Sequence, residues 1–230
     1  MAATEWAGTA PLQVLQCRAN AAVAYLELGS LPEVDRQLSI VKRDTDDARL
    51  AQLGAYADST LAEAHWLRDP VGSREIWTRA ESVLVERGDE LGPVMGCVRL
   101  YTLCRADGRA EEALANAESA IAMLHESGDS MRLLRLSAEI EVAASMLALG
   151  DRWGARRVAT RIESELHDTP AKQHLLLVNA VLAELDRLDG DLESAAGRLR
   201  PYVDYIATGS ANWRLALYIR AFPGLLVTLA

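Results

Sequence analysis

Four histidines and three cysteines are the side chains of this 230-residue chain best suited to metal or nucleophilic chemistry. His65, His125, His167 and His174 show no His-x-x-x-His spacing, and His167 and His174 straddle the turn "HDTPAKQH". A metal site needs converging ligands, so the four read as partly exposed polar residues, and neither a metal nor a cofactor is expected. Cys17, Cys97 and Cys104 form no CxxC and leave an odd count, which reads as buried free thiols rather than a disulfide or a metal site. No serine stands in a G-x-S-x-G context, and no cysteine is beside a histidine in sequence. Glu111 and Glu112 could serve acid–base chemistry, but early in a helix they favour the helix dipole instead. An enzyme is not expected. The tryptophans Trp6, Trp66, Trp77, Trp153 and Trp213 read chiefly as packing residues, with ligand stacking as the alternative.

Composition sets the elements that must carry these residues. Half of the chain is hydrophobic by count, yet only one residue is Phe. Ala and Leu dominate, and both lose little freedom in a helix. β-Branched and aromatic residues are too sparse for a sheet protein. The formal net charge is −9, whereas nucleic-acid binders carry a basic patch. The densest basic stretch, "RWGARRVATR" (152–161), is followed by Glu163 and Glu165 and reads as a solvated helix face. Direct nucleic-acid binding is therefore not expected. The N-terminus has neither a basic nor an apolar signal region, and the run near "AFPGLLVTLA" is far short of a membrane span. These features point to a cytoplasmic chain with no membrane segment.

A repeat runs through the sequence. "LYTLCRADGRAEEALANAESAI" (100–121) and "LAELDRLDGDLESAAGRLRPY" (182–202) share Leu-x-x-Leu-x-Arg-x-Asp-Gly, then Glu and Ala at fixed offsets. "AYLELGSLPEVDRQLSIV" (24–41) and "ASMLALGDRWGARRVATRI" (144–162) share the frame. The anchor glycines are Gly29, Gly108, Gly150 and Gly190. Five residues after them stand Val34, Ala113, Ala155 and Ala195; nine after, Leu38, Ala117, Ala159 and Leu199; twelve after, Val41, Ala120, Ile162 and Tyr202. A degenerate fifth unit, "AEAHWLRDPVGSREIWTRAESVL" (62–84), has Arg68 in place of the glycine, with Ile76, Ala80 and Val83 holding the apolar rhythm. The period is about 40 residues.

Each unit reads as two helices, the first ended by a glycine that enters the left-handed region without steric cost. The expected helices are 11–28, 32–43, 46–68, 73–87, 91–107, 110–126, 131–149, 152–166, 171–189, 192–207 and 211–229. Pro11 suits a first turn, and Ser30, Ser73 and Asp129 or Ser130 are candidate caps. Stacked hairpins share a continuous core, which explains the alanines of "GRAEEALANAESAIAML" (108–124). Small residues at 113, 117 and 120 let neighbouring helix axes approach closely. Pro223 should interrupt the last helix and turn its apolar residues back onto the hairpin at 182–207. Trp213, Leu215, Leu217 and Tyr218 also need partners. The apolar residues at both ends suggest a segment of a longer protein or end-to-end association.

The glycine-to-alanine frame resembles the tetratricopeptide repeat over about residues 12–207, although the common period of that family is 34. The resemblance implies a single domain, 1–230: an all-α, right-handed superhelix of about five hairpins plus a C-terminal helix. Longer units of this style also look like the sensor region of MalT-type, ATP-dependent, LuxR-family transcriptional regulators. The chain has no G-x-x-x-x-G-K-[ST] loop and no convincing basic helix-turn-helix, so only the sensor segment of such a regulator would be present.

The family resemblance implies binding on a concave face lined by the first helix of each hairpin. Positions ten, six and three before each anchor are Ala19, Val23 and Leu26; Asp58, Ala62 and His65; Val98, Thr102 and Arg105; Ile140, Ala144 and Leu147; and Ala180, Glu184 and Arg187. The candidate binding residues are Asp58, His65, Thr102, Arg105, Glu184 and Arg187 in an otherwise apolar groove. Arg105 and Arg187 are repeat equivalents suited to an anionic or polar group; a salt bridge is the competing reading. The Lys and Asn pattern that clamps chaperone C-termini is absent. The expected role is non-catalytic binding of a protein, peptide or small molecule, as a sensor or interaction domain in transcription regulation. A peptide-receptor module or a general protein scaffold is the alternative.

Overall fold

The computed structural model describes residues 12–27, 30–45, 50–66, 68–89, 91–125, 131–167, 171–207 and 221–229. The fold is all-α, with no strand among the described residues. The helices are α1 (Leu12–Glu27), α2 (Leu31–Asp44), α3 (Ala51–His65), α4 (Pro70–Glu86), α5 (Leu91–Ala106), α6 (Ala110–Leu124), α7 (Arg132–Ala148), α8 (Arg152–Leu166), α9 (Lys172–Leu188), α10 (Leu192–Ala207) and α11 (Gly224–Leu229). None of the described helices is long and apolar enough to cross a membrane. The chain divides into two compact units, Met1–Gly96 and Cys97–Ala230. In the first, α1 packs on α2, α2 on α3 and α3 on α4, and α1 also meets α3. In the second, α6 through α10 pack each on the next, and α7 also meets α9.

The turns follow from two residue types. Gly108, Gly150 and Gly190 have φ of 77°, 91° and 87°, the left-handed region that only glycine enters freely. Each closes a Schellman turn. Arg109 N donates to Cys104 O at 2.8 Å, Asp151 N to Met146 O at 2.9 Å and Asp191 N to Asp186 O at 2.9 Å. The aspartate after the glycine then caps the next helix: Asp151 accepts from Gly154 N at 2.9 Å and Asp191 from Ser194 N at 3.0 Å. Hydrogen bonds from the Ser194 backbone and side chain hold the Asp191 carboxyl below its ordinary value.

Several local expectations need correction. Gly88, with φ of 70°, makes the same turn after α4. The degenerate unit starts its second helix at Pro70, a favoured first-turn position, and Asp69 rather than Ser73 is the cap, accepting from Gly72 N at 2.9 Å. Ser30 stands at the N-cap of α2 without a side-chain cap bond. Pro11, Asp129, Ser130 and residues 211–220 lie outside the described residues.

All twelve residues at the three frame positions are buried, none above 1% exposure. Ala113, Ala117 and Ala120 are therefore interface residues, and bulk added there must displace a neighbouring helix. The degenerate unit keeps this register rather than the expected one. Its buried stripe is Ser73, Trp77, Ala80 and Leu84, while Ile76 and Val83 are only partly buried. Trp66 and Trp77 fill this hairpin, both fully withdrawn from water. Here two large rings substitute for packing that small residues provide elsewhere.

The main core of the second unit joins α7, α8, α9 and α10 to the C-terminal segment. α7 is buried nearly all round, through Leu136, Ile140, Ala143, Ala144 and Leu147 and also through Ser137, Glu141 and Ser145. Helical structure is interrupted at Phe222–Pro223, in keeping with a proline that has no N–H to donate. α11 then packs on α9 and α10. Phe222 and Leu225 enter the same core as Leu182, Leu199 and Tyr202.

Candidate ligand-binding site

In the first unit, Asp58 and His65 project from α3 and remain partly exposed. Asp58 pairs with Lys42 Nζ at 2.6 Å, and His65 Nε2 lies 2.7 Å from Asp35 Oδ1. Both partners lie on α2, so the two candidates brace the α2–α3 contact. Asp58 also lines a cavity of about 450 Å³ with Lys42, Thr45, Gly54, Arg79 and Val83. Val23 is partly exposed, whereas Ala19, Leu26 and Ala62 are buried.

The second unit treats the equivalent positions differently. Arg105 on α5 donates from Nε to Glu141 on α7, and both side chains are essentially without solvent exposure, at 0% and 1%. On α9, Arg187 Nε and Nη2 donate to the two oxygens of Glu184 at 2.8 and 2.7 Å. The hydrogen bonds to Glu184 raise the Arg187 pKa above its ordinary value. The Thr102 and Val98 side chains lie outside the described residues. Ile140, Ala144 and Ala180 are fully buried and Leu147 nearly so, in the same core as Phe222 and Leu225.

Arg105 and Arg187 converge on one short stretch of chain. The Arg105 guanidinium lies over the Phe222 ring, 5.3 Å from its centroid, a cation–π arrangement strengthened by the loss of water. Two residues on, a Cβ at Gly224 would meet the Arg187 guanidinium, the mobile end of that side chain, so the glycine lets the guanidinium rest against the backbone. The repeat frame thus identified two arginines that meet one segment. It missed Glu141 and Phe222. Glu141 could have been flagged as an acid amid apolar residues in "IEVAAS" (140–145); Phe222 carried no such signal.

The remaining chemistry-bearing groups have structural surroundings. Asp186 accepts from Arg156 and Arg198, both at 2.8 Å, while Arg156 also reaches Asp189 at 2.9 Å and Arg198 reaches Glu163 at 2.5 Å. This lattice ties α8, α9 and α10 together and absorbs part of the basic stretch 152–161. Trp153 is a correction to the packing expectation. It is 74% exposed, with the Arg157 guanidinium 5.0 Å from its ring centroid. Trp6 and Trp213 lie outside the described residues. Cys104 is buried and Cys97 partly so, but Cys17 lies on the exposed side of α1. Ser137 Oγ lies 2.8 Å from His174 Nε2, a contact joining α7 to α9 that local sequence motifs did not reveal. Among the described residues no three His, Cys, Asp or Glu side chains are grouped as a metal would require.

No protein-family model matches the sequence, and no curated protein matches it either. The class defined by fold and site is an all-α protein of packed helices whose second unit gathers two arginine–carboxylate pairs around a C-terminal segment.

Proposed function

We propose that the chain is a non-catalytic, tetratricopeptide-like binding module, a right-handed superhelix of helical hairpins. In this reading it is the sensor or interaction segment of a cytoplasmic MalT-type, LuxR-family transcriptional regulator. It takes a protein, peptide or small-molecule ligand and leaves ATP hydrolysis and DNA contact to other domains.

The convergence of Arg105 and Arg187 on Phe222–Gly224 carries the binding part of this reading. Two first-helix arginines at the same repeat position meet one stretch of peptide, as ligand-contacting residues of a repeat protein would. The repeat part draws support from the three left-handed anchor glycines, the buried stripe that follows each, and the packing of α1 on α3 and of α7 on α9.

The second reading, a peptide-receptor module or a protein scaffold, is favoured by the identity of the present occupant, which is itself peptide. Native mass measurement of the purified chain, before and after incubation with fractionated cell extract, separates the readings. A small-molecule adduct supports a metabolite sensor, and a peptide or protein adduct supports the second reading. A folded chain that retains nothing from any fraction would remove the binding role.

A further inference from the structure

We infer that the face built by Arg105, Glu141, Glu184 and Arg187 is a peptide site, and that Phe222–Leu229 occupies it as a displaceable internal ligand. The external ligand would be a peptide segment of another protein with an aromatic residue, a small residue two positions on and an apolar residue next. That is the pattern of Phe222, Gly224 and Leu225. The inference rests on the binding-module reading and names the ligand class of the same site.

Three observations carry it. First, the contacts are specific to residue type. A ring stacks on the Arg105 guanidinium, a residue without Cβ passes the Arg187 guanidinium, and Leu225 is fully buried while the next residue, Leu226, is half exposed. Second, the occupant is poorly held by its own structure. α11 has six residues, far fewer than a helix needs to persist alone, and the break at Pro223 separates it from what precedes it. Third, Phe222 packs over the guanidinium of a charged pair that is withdrawn from water. Departure of the segment would uncover the Phe222 side of that guanidinium, and hydration recovered there offsets part of the cost of opening. An arriving peptide would meet two preformed Arg–carboxylate pairs in place.

The probe is a fluorescent peptide of sequence RAFPGLLVTLA, titrated by anisotropy into the full-length chain and into its Phe222→Ala variant. An internal ligand lowers apparent affinity by the fraction of time the site is open. The variant should therefore bind the peptide about tenfold or more tightly than the parent chain, and the F222A form of the peptide should bind neither. Equal binding by the parent and a folded variant would overturn the inference. So would loss of helical circular dichroism in the variant, since the segment's share of the core would then be one the fold cannot release. Amide exchange on the unmodified chain gives an independent reading. Millimolar peptide should accelerate exchange in Leu226–Leu229 and leave α7 and α9 unchanged; no acceleration would overturn the inference. The extract measurement stands apart, because a bound metabolite or protein would sustain the module reading even if this peptide fails.

Discussion

His65 and Arg105 hold the same place in two repeats, three residues before the anchor, and the molecule uses them in opposite ways. His65, in the first unit, stays partly exposed beside Asp35 at the surface of the α2–α3 contact. Arg105, in the second, is sealed with Glu141 beneath Phe222. Both arrangements set a nitrogen-bearing side chain against a carboxylate. They differ in burial: the first pair is partly exposed, whereas the second is withdrawn from water and has the Phe222 ring over its guanidinium. Repeat position therefore fixes where a side chain starts, and long-range cover fixes whether its charge is solvated. A solvated pair contributes about 0–1 kcal/mol, while a buried one becomes costly when a single partner is removed.

The largest effect expected from this contrast is at Arg105. Arg105→Ala leaves the Glu141 carboxylate buried without this partner and should lower the unfolding free energy by about 3–5 kcal/mol in urea titration. His65→Ala should cost no more than about 1 kcal/mol in the same assay. Equal losses would mean that the two positions are alike in solution and that the cover over Arg105 is not maintained.

Next in size is the small-residue stripe of the second unit. Ala113→Leu places three more carbons at a position with no exposure, and overpacking should cost about 1–3 kcal/mol. The counterpart Val34 is equally buried but already larger, so Val34→Leu should cost less. Unchanged thermal unfolding of Ala113→Leu would remove that residue from the helix interface.

How far the sequence could be read divides along the same line. The frame positions were legible because Gly108, Gly150 and Gly190 fix a short local turn, and helical period then selects the buried face. The interruption at Pro223 was legible for a similar reason, since a proline acts on its own backbone. The stripe of α4 was misread because the turn lost its glycine. Without that marker, Ile76 and Val83 looked as suitable as Ser73 and Trp77, although the latter pair keeps the common offset. Partners were the least legible. Glu141 lies 36 residues from Arg105 and Phe222 much further, and no local pattern encodes pairings at that range. Exposure of Trp153 was equally hidden, because a ring after a turn can face either way.

A third expected effect appears only at high pH. Burial pushes the Tyr202 phenol well above its ordinary value. The unfolded chain ionises this phenol near pH 10, while the folded chain keeps it neutral. Its contribution is thus fully present below about pH 10 and is lost as pH rises toward the folded value. The loss therefore grows between pH 10 and pH 11. Tyr202→Phe should lack this component, so the stability gap between the two chains should narrow between pH 8 and pH 11. Val41, the first-unit counterpart, is also buried but has no proton to lose. A gap that does not change with pH would mean that water reaches the phenol in the folded chain.

The smallest effect tests the exposed side of the comparison. Lys42 and Asp58 meet at 2.6 Å, but their side chains are 45% and 33% exposed. Water screens their attraction, and holding the long lysine in one rotamer costs entropy. A double-mutant cycle of Lys42→Ala and Asp58→Ala should give a coupling of about 0.2–1 kcal/mol. At molar salt the screening length falls to about 3 Å, so most of this coupling should disappear. The Arg105–Glu141 cycle should keep its coupling under the same conditions, because salt does not enter a buried site. If instead the Lys42–Asp58 coupling is large and resists salt, then α2 and α3 shield this pair as Phe222 shields the other. The two units would then differ in the identity of their charges and not in how they treat them.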